Sequence, residues 1–294
     1  MPNRFLDPGG LKRTARLELV ARDAVEGFLA GRHRSPTRGA SAAYLDHRAY
    51  TPGDDPRSID WKMYARSDKY YVKMFEDETN LRAFILLDCS RSMSFAKDGP
   101  SKFEFGAYLA ASLSYLLLRQ NDAVGLATLD RDARELVAPL AKPTQFRRIL
   151  DRLDAVAPNG ETSVSESLHV IAERIGRRSL VILISDLLDD EDRFADALQH
   201  LRHQRHEVLV FHVLDDAELN FPYDRPAHFA ELEGDGRITA DPRALRKSYL
   251  THLQTFLQRV QGECEARHVS YSLANTKDPY DLFLAAYLDK RQRL

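Results

Sequence analysis

Cysteine is nearly absent: Cys89 and Cys264 are the only two in 294 residues. That excludes a disulfide framework and any zinc-ligand spacing, and it fits a reducing compartment. An excess of one charge is missing too. Lys and Arg number 42 against 44 Asp and Glu, a formal net charge of -2, so the chain carries no polyanion-binding signature and no nucleic-acid partner is expected. No window approaches the ~18 consecutive apolar residues of a membrane span. The opening "MPNRFLDPGGLKRTARLEL" also lacks the apolar stretch of a signal peptide. With 44% hydrophobic and 29% charged residues, the expectation is a soluble cytoplasmic protein with a substantial core.

What is present divides at about residue 80. "LELVARDAVEGFLAG" sets Leu17, Val20, Ala21, Ala24 and Phe28 on one helical face and stops at Gly31. A polar stretch follows, "RHRSPTRGASAAYLDHRAYTPGDDPRSIDWKMYARSDK", rich in turn formers and in both charges. Its length and its aromatics, Tyr44, Tyr50, Trp61 and Tyr64, argue that it packs against something. Residues 1–80 are read as an N-terminal extension with a structure of its own, and 81–294 as the main domain.

In the main domain, apolar strands ("AFILLD", "VGLATL", "LVILISD", "VLVFHVLD") alternate with helical segments such as "FEFGAYLAASLSYLLLRQ" and "DRFADALQHLRHQ". Continuous Val/Ile/Leu runs between helices predict an α/β fold, with a mainly parallel sheet covered on both faces. "VGLATLDRDARELVAPL" joins two strands by a short polar turn, so its second strand is expected to be antiparallel and at an edge. A hairpin insertion is expected near 226–241, with Gly234-Asp235-Gly236 at its turn. A long helix (242–267), a strand "VSYSLANT" and a helix "YDLFLAAYLDKR" close the chain.

The strand "FILLD" ends in Asp88-Cys-Ser90-Arg-Ser92, and "LVILISD" ends in Asp186. In an open parallel sheet, ligands bind beyond the carboxyl ends of the strands, at the switch in strand order. Both carboxylates are therefore expected on one rim. Thr162 lies in the intervening loop "PNGETSVSESL", which leads into a helix. In an extended turn, residues 88, 90 and 92 point the same way while Cys89 and Arg91 point elsewhere. Two carboxylates and three hydroxyls make a hard-oxygen site, suited to Mg²⁺ or Mn²⁺ rather than zinc.

Asp88-x-Ser90-x-Ser92 with Thr162 and Asp186 resembles the metal-ion-dependent adhesion site of von Willebrand factor A domains. The resemblance covers about 81–294 and implies an open, mostly parallel sheet with one antiparallel edge strand. It also implies that Ser90, Ser92 and Thr162 contact the metal directly, Asp88 and Asp186 directly or through water, and that a partner carboxylate takes one position. The segment "YTPGDDPRSIDWKMYARSDKYYVKMFEDET" is similar to the signature of the domain of unknown function 58 family, as is the upstream "EGFLAGRHRSPTRGAS". That likeness implies a cytoplasmic adaptor working with a MoxR-type AAA+ ATPase in maturation or remodelling of protein complexes. Read from the residues, the segment is structural: Pro52-Gly53 suits a turn, and Asp54, Asp55, Arg57, Asp60, Lys62 and Arg66 can form an ion-pair network. Trp61 is expected to anchor it in an apolar groove. Arg32, His33, Arg34 and Arg38 serve a fold or a docking surface equally well.

The rival function is a Mg²⁺-dependent phosphoester hydrolase built on Asp88 and Asp186, since carboxylate-held Mg²⁺ also activates water. Against it, there is no Walker-type loop, no second carboxylate beside Asp88 and no His-Glu-x-x-His. The histidines of "HLRHQRH" sit three apart and are read as a solvated helix face. A binding module, not an enzyme, is the leading expectation.

Overall fold

The computed structural model describes residues 17–26, 46–51, 59–74, 81–129, 136–158, 163–176, 178–225, 227–230 and 237–292. The chain divides into two compact units, residues 30–80 and residues 1–29 with 81–294. Compactness thus groups the first helix, α1 (residues 17–26), with the larger unit, whereas the sequence reading counted it in the N-terminal extension.

In the larger unit the apolar runs form a six-stranded sheet. Its strands are β3 (Arg82–Asp88), β4 (Ala123–Leu129), β5 (Leu136–Leu140), β6 (Leu180–Ser185), β7 (Glu207–Leu214) and β10 (Ser270–Asn275). Their order is β10-β7-β6-β3-β4-β5, and every neighbouring pair is parallel except β4 with the edge strand β5. This is the expected α/β architecture. Along β3, alternate side chains enter different cores. Ala83, Ile85 and Leu87 pack with residues of α1, α3 (Lys102–Arg119), α4 (Pro143–Ala155) and α9 (Tyr280–Gln292). Phe84 and Leu86 pack with α5 (Val164–Arg174), α6 (Glu191–His203) and α8 (Pro242–Ala266). Each such side chain, taken fully out of water, contributes about 1.5–3 kcal/mol before chain entropy is counted.

The strand order places the switch at β3. The chain leaves it through α3 toward β4, and returns on its other side at β6. α3 starts with a capping box, in which Ser101 and Glu104 satisfy each other's backbone N–H groups. It lies close on the sheet because of Gly106. A Cβ there would stand 2.8 Å from Leu87 Cδ1 and 3.1 Å from Ile184 Cγ2. Beyond β7, Asp215 caps the short helix α7 (Asp216–Asn220), and Glu218 completes the box. The insertion is a hairpin, β8 (Ala227–Ala230) with β9 (Arg237–Ala240). Its expected turn, Gly234-Asp235-Gly236, lies outside the described residues.

The smaller unit pairs β1 (Asp46–Ala49) with β2 (Tyr71–Met74) in antiparallel register, with α2 (Trp61–Ser67) between them in sequence. Asp60 is buried and accepts from the Met63 N–H at 3.3 Å, which caps α2. Tyr64 stacks on Tyr70 with ring centroids 4.5 Å apart. The expected burial of Trp61 is not met: it is 60% exposed, set edge-on to Tyr64. It is the first residue of α2, and with most of its surface open it is not a buried anchor. Asp54, Asp55 and Arg57 of the expected ion-pair network, and the basic residues Arg32, His33, Arg34 and Arg38, lie outside the described residues.

The histidines of "HLRHQRH" do not form a solvated face either. Only His203 is exposed. His200 Nδ1 meets His169 Nδ1 of α5 at 3.0 Å, and buried His206 accepts the Ser179 N–H. The helix ends at His203, and a reversal at Arg205, with a φ of 65°, turns the chain so that the His206 N–H donates to the Leu201 carbonyl just before β7.

Candidate metal centre

The register of β3 and β6 sets Leu87 opposite Ile184, and the two strands leave the sheet side by side. Asp88 is fully buried there. Its Oδ1 accepts the Ser90 N–H at 2.8 Å, a local turn that bends the chain out of the strand. A 3₁₀ turn over Ser92–Ser94 follows. The bend brings the Ser90 and Ser92 hydroxyls within 2.9 Å of each other, both buried, while Arg91 faces solvent and Cys89 turns inward. Ser90 and Ser92 are thus brought together beside Asp88 by a turn with Arg91 in the helical region, not by the extended chain that the alternation assumed.

From β6, Ser185 donates to Asp88 Oδ2 at 2.6 Å and accepts the Leu187 N–H at 2.9 Å. Leu187 holds a φ of 54°. A bulky residue in this left-handed region is uncommon and costs on the order of 1–3 kcal/mol, a strain the surrounding rim must offset. Asp186 is buried. Its Oδ2 accepts from the Lys102 ammonium at 2.7 Å, and its Oδ1 accepts the Leu188 N–H at 3.4 Å. The Asp186 carbonyl can only accept, so His212 donates through Nε2 at 2.8 Å and its Nδ1 takes the Tyr271 hydroxyl proton. Burial keeps this imidazole neutral, lowering its pKa to about 4.

Asp88 and Asp186 thus occupy one rim, and the electrostatics register it. Burial, followed by the Asp186 charge, pushes the Asp88 carboxyl up to about 7 despite the hydrogen bonds from Ser185 and Ser90. Thr162 lies outside the described residues. Its neighbour Ser163 caps α5 and donates to Asp189 Oδ2 at 3.3 Å, and the same oxygen takes the Ser165 N–H at 2.8 Å. The loop after β6 therefore holds the end of the loop that carries Thr162.

Sequence reasoning missed four side chains of this rim: Lys102, Ser185, Asp189 and Glu218. Ser185 is adjacent to Asp186 in "LISD", and a hydroxyl closing an otherwise apolar buried strand was the available signal. The others come from separate elements and had no local one. A third strand-end carboxylate, Asp215, is committed to structure: it caps α7 and accepts from the Lys97 N–H and the Thr276 hydroxyl.

Among the described residues, no three side chains drawn from His, Cys, Asp and Glu converge on one ion position. A cation here would have to use the serine hydroxyls. The donor set fits a hard ion, since it is all oxygen.

The model of the family described as "Protein of unknown function DUF58" matches residues 46–256. The uncharacterized protein Rv1480 of Mycobacterium tuberculosis is 27% identical over 212 residues, which is 70% of this chain and 65% of that protein. The chain therefore spans just under two thirds of that relative's length. Among solved structures, an aerotolerance-related membrane protein from Bacteroides fragilis shares 18% identity. It covers 73% of this chain and all of its own, at a TM-score of 0.47. The SpRpn10 VWA domain shares 10% identity, covering 72% of this chain and 95% of its own, at 0.42. Among the described residues, no helix is long and apolar enough to cross a membrane.

Proposed function

The chain belongs to the DUF58 family, and from that premise we propose that it is a metal-dependent protein-binding adaptor. The observation that carries this reading is the rim itself, where buried Asp88, Ser90 and Ser92 lie beside buried Asp186 across neighbouring strand ends. Asp88, Ser90, Ser92, Thr162 and Asp186 would hold Mg²⁺ or Mn²⁺. The bound ion would supply Lewis-acid attraction for one carboxylate from a partner. The chain's own residues orient the donors. Ser185 and the Ser90 N–H fix Asp88, and Asp189 fixes the start of α5.

The partner we assign is a cytoplasmic MoxR-type AAA+ ATPase, with a shared role in maturing or remodelling protein complexes. Among the described residues, the histidine that touches Asp186, His212, meets its backbone carbonyl, is buried and has both ring nitrogens engaged, so it serves to hold the rim rather than to move a proton.

The test uses purified chain and ATPase on a sizing column in MgCl₂, then in EDTA. Asp88→Ala controls for the ATPase's own need for Mg²⁺. A complex lost both in EDTA and in the variant is the expected result. A complex that survives Asp88→Ala in MgCl₂ would sink the metal-bridged reading.

A further inference from the structure

Lys102 is the first residue of α3, a place local rules deny to a buried lysine. A helix N-terminus carries partial positive charge and favours acids, and lysine is almost never fully buried unless paired. Yet Lys102 has no exposed surface. Its ammonium lies 2.7 Å from Asp186 Oδ2 and 2.7 Å from Glu218 Oε1, with the Phe95 ring 5.9 Å away. Gly106, one turn along the same face, explains the position: it lets α3 settle against Leu87 and Ile184, which carries Lys102 over the rim.

We propose that Lys102 is a resident counter-cation of the rim, competing with a divalent ion for Asp186 while Glu218 sets how strongly it competes. The inference rests on the metal reading of that rim. The shared ammonium is the basis. Asp186 Oδ2 is engaged by Lys102, and among the described residues its other oxygen takes a long 3.4 Å contact from a backbone N–H. Glu218 is 20% exposed on its side chain and sits on a different element, α7. It offers the ammonium a place to remain when Asp186 turns to an ion. Lys102 is a positioning residue in this account, since it acts through Asp186.

The experiment is titration of Mn²⁺ into the full chain, following loss of the free-ion EPR signal, for the natural protein, Lys102→Met, Glu218→Gln and the double variant. Lys102→Met is expected to bind Mn²⁺ about tenfold tighter or more, because a unit positive charge a few ångströms away is gone. Glu218→Gln is expected to bind about threefold weaker, since the ammonium then has Asp186 as its sole acidic partner. A purely structural role would weaken binding in both. The double variant has the net charge of the natural chain, so it separates direct competition from overall charge: it should stay tighter than the natural protein. Should Lys102→Met fail to fold, the double variant carries the test. Equal affinity in the natural chain and Lys102→Met, or a double variant that matches the natural chain, overturns the proposal and leaves the metal site standing. Binding by Lys102→Met but not by the natural chain supports the proposal and removes the metal from the natural rim. No binding by either removes both.

Discussion

Replacing Asp88 by Asn tests the electrostatics of the rim without moving it. In the metal-free protein, folding raises the Asp88 pKa from an ordinary 3.8 to about 7, chiefly by burial and then by the Asp186 charge. A group whose pKa rises on folding helps most where both states are protonated. Its contribution is therefore complete below about pH 4 and is lost as the pH climbs toward 7. A shift of that size corresponds to roughly 4 kcal/mol at neutral pH and above. Asn keeps the side-chain shape and the acceptor for the Ser90 N–H. It replaces the oxygen that takes the Ser185 hydroxyl proton by an amide donor. That exchange costs about 1 kcal/mol, the same at every pH. Urea unfolding followed by circular dichroism in EDTA, from pH 4.5 to 8.5, measures the difference between the two proteins. Asp88→Asn should be slightly less stable in acid and should overtake the natural protein as the pH rises, with a swing of several kcal/mol. Parallel stability curves would refute the reasoning, because they would mean Asp88 carries no raised pKa in the folded state.

Gly106→Ala should lower stability by about 1–3 kcal/mol, read as a drop in urea midpoint, since the new methyl meets Leu87 at 2.8 Å. Trp61→Ala should change stability by no more than about 0.5 kcal/mol by thermal melting, because the ring is 60% exposed. Asp189→Ala removes the acceptor of the Ser165 N–H and the Ser163 hydroxyl. It should cost about 0.5–2 kcal/mol and show faster amide exchange in the first turn of α5. Ser90→Ala should leave the melting temperature within a few degrees of the natural protein while weakening Mg²⁺ binding by calorimetry; an unchanged affinity would count against the hydroxyl as a ligand.

Local pattern was enough for much of this architecture. Strands buried on both faces must be apolar at consecutive positions, so "FILLD" and "LVILISD" announced parallel β3 and β6, and the polar turn after "VGLATL" announced the antiparallel edge. The run Asp-x-Ser-x-Ser at a strand end marked where the polar groups gather, but the turn at Ser90 and the 3₁₀ turn from Ser92, not an extended period of two, bring the two hydroxyls together. What the chain could not declare locally was decided by packing. Lys102 reads as an ordinary exposed lysine until α3 is laid on the sheet, and Gly106 decides how close it lies. Asp189 and Glu218 matter because β6 and α7 bring them to other elements' ends. The burial of His206 follows from a reversal beyond α6, and the exposure of Trp61 is likewise a tertiary outcome that its residue type did not announce. Sequence encodes the periodicity of each element directly. Distances between elements depend on side-chain volumes summed across an interface, and those exist only once the interface has formed.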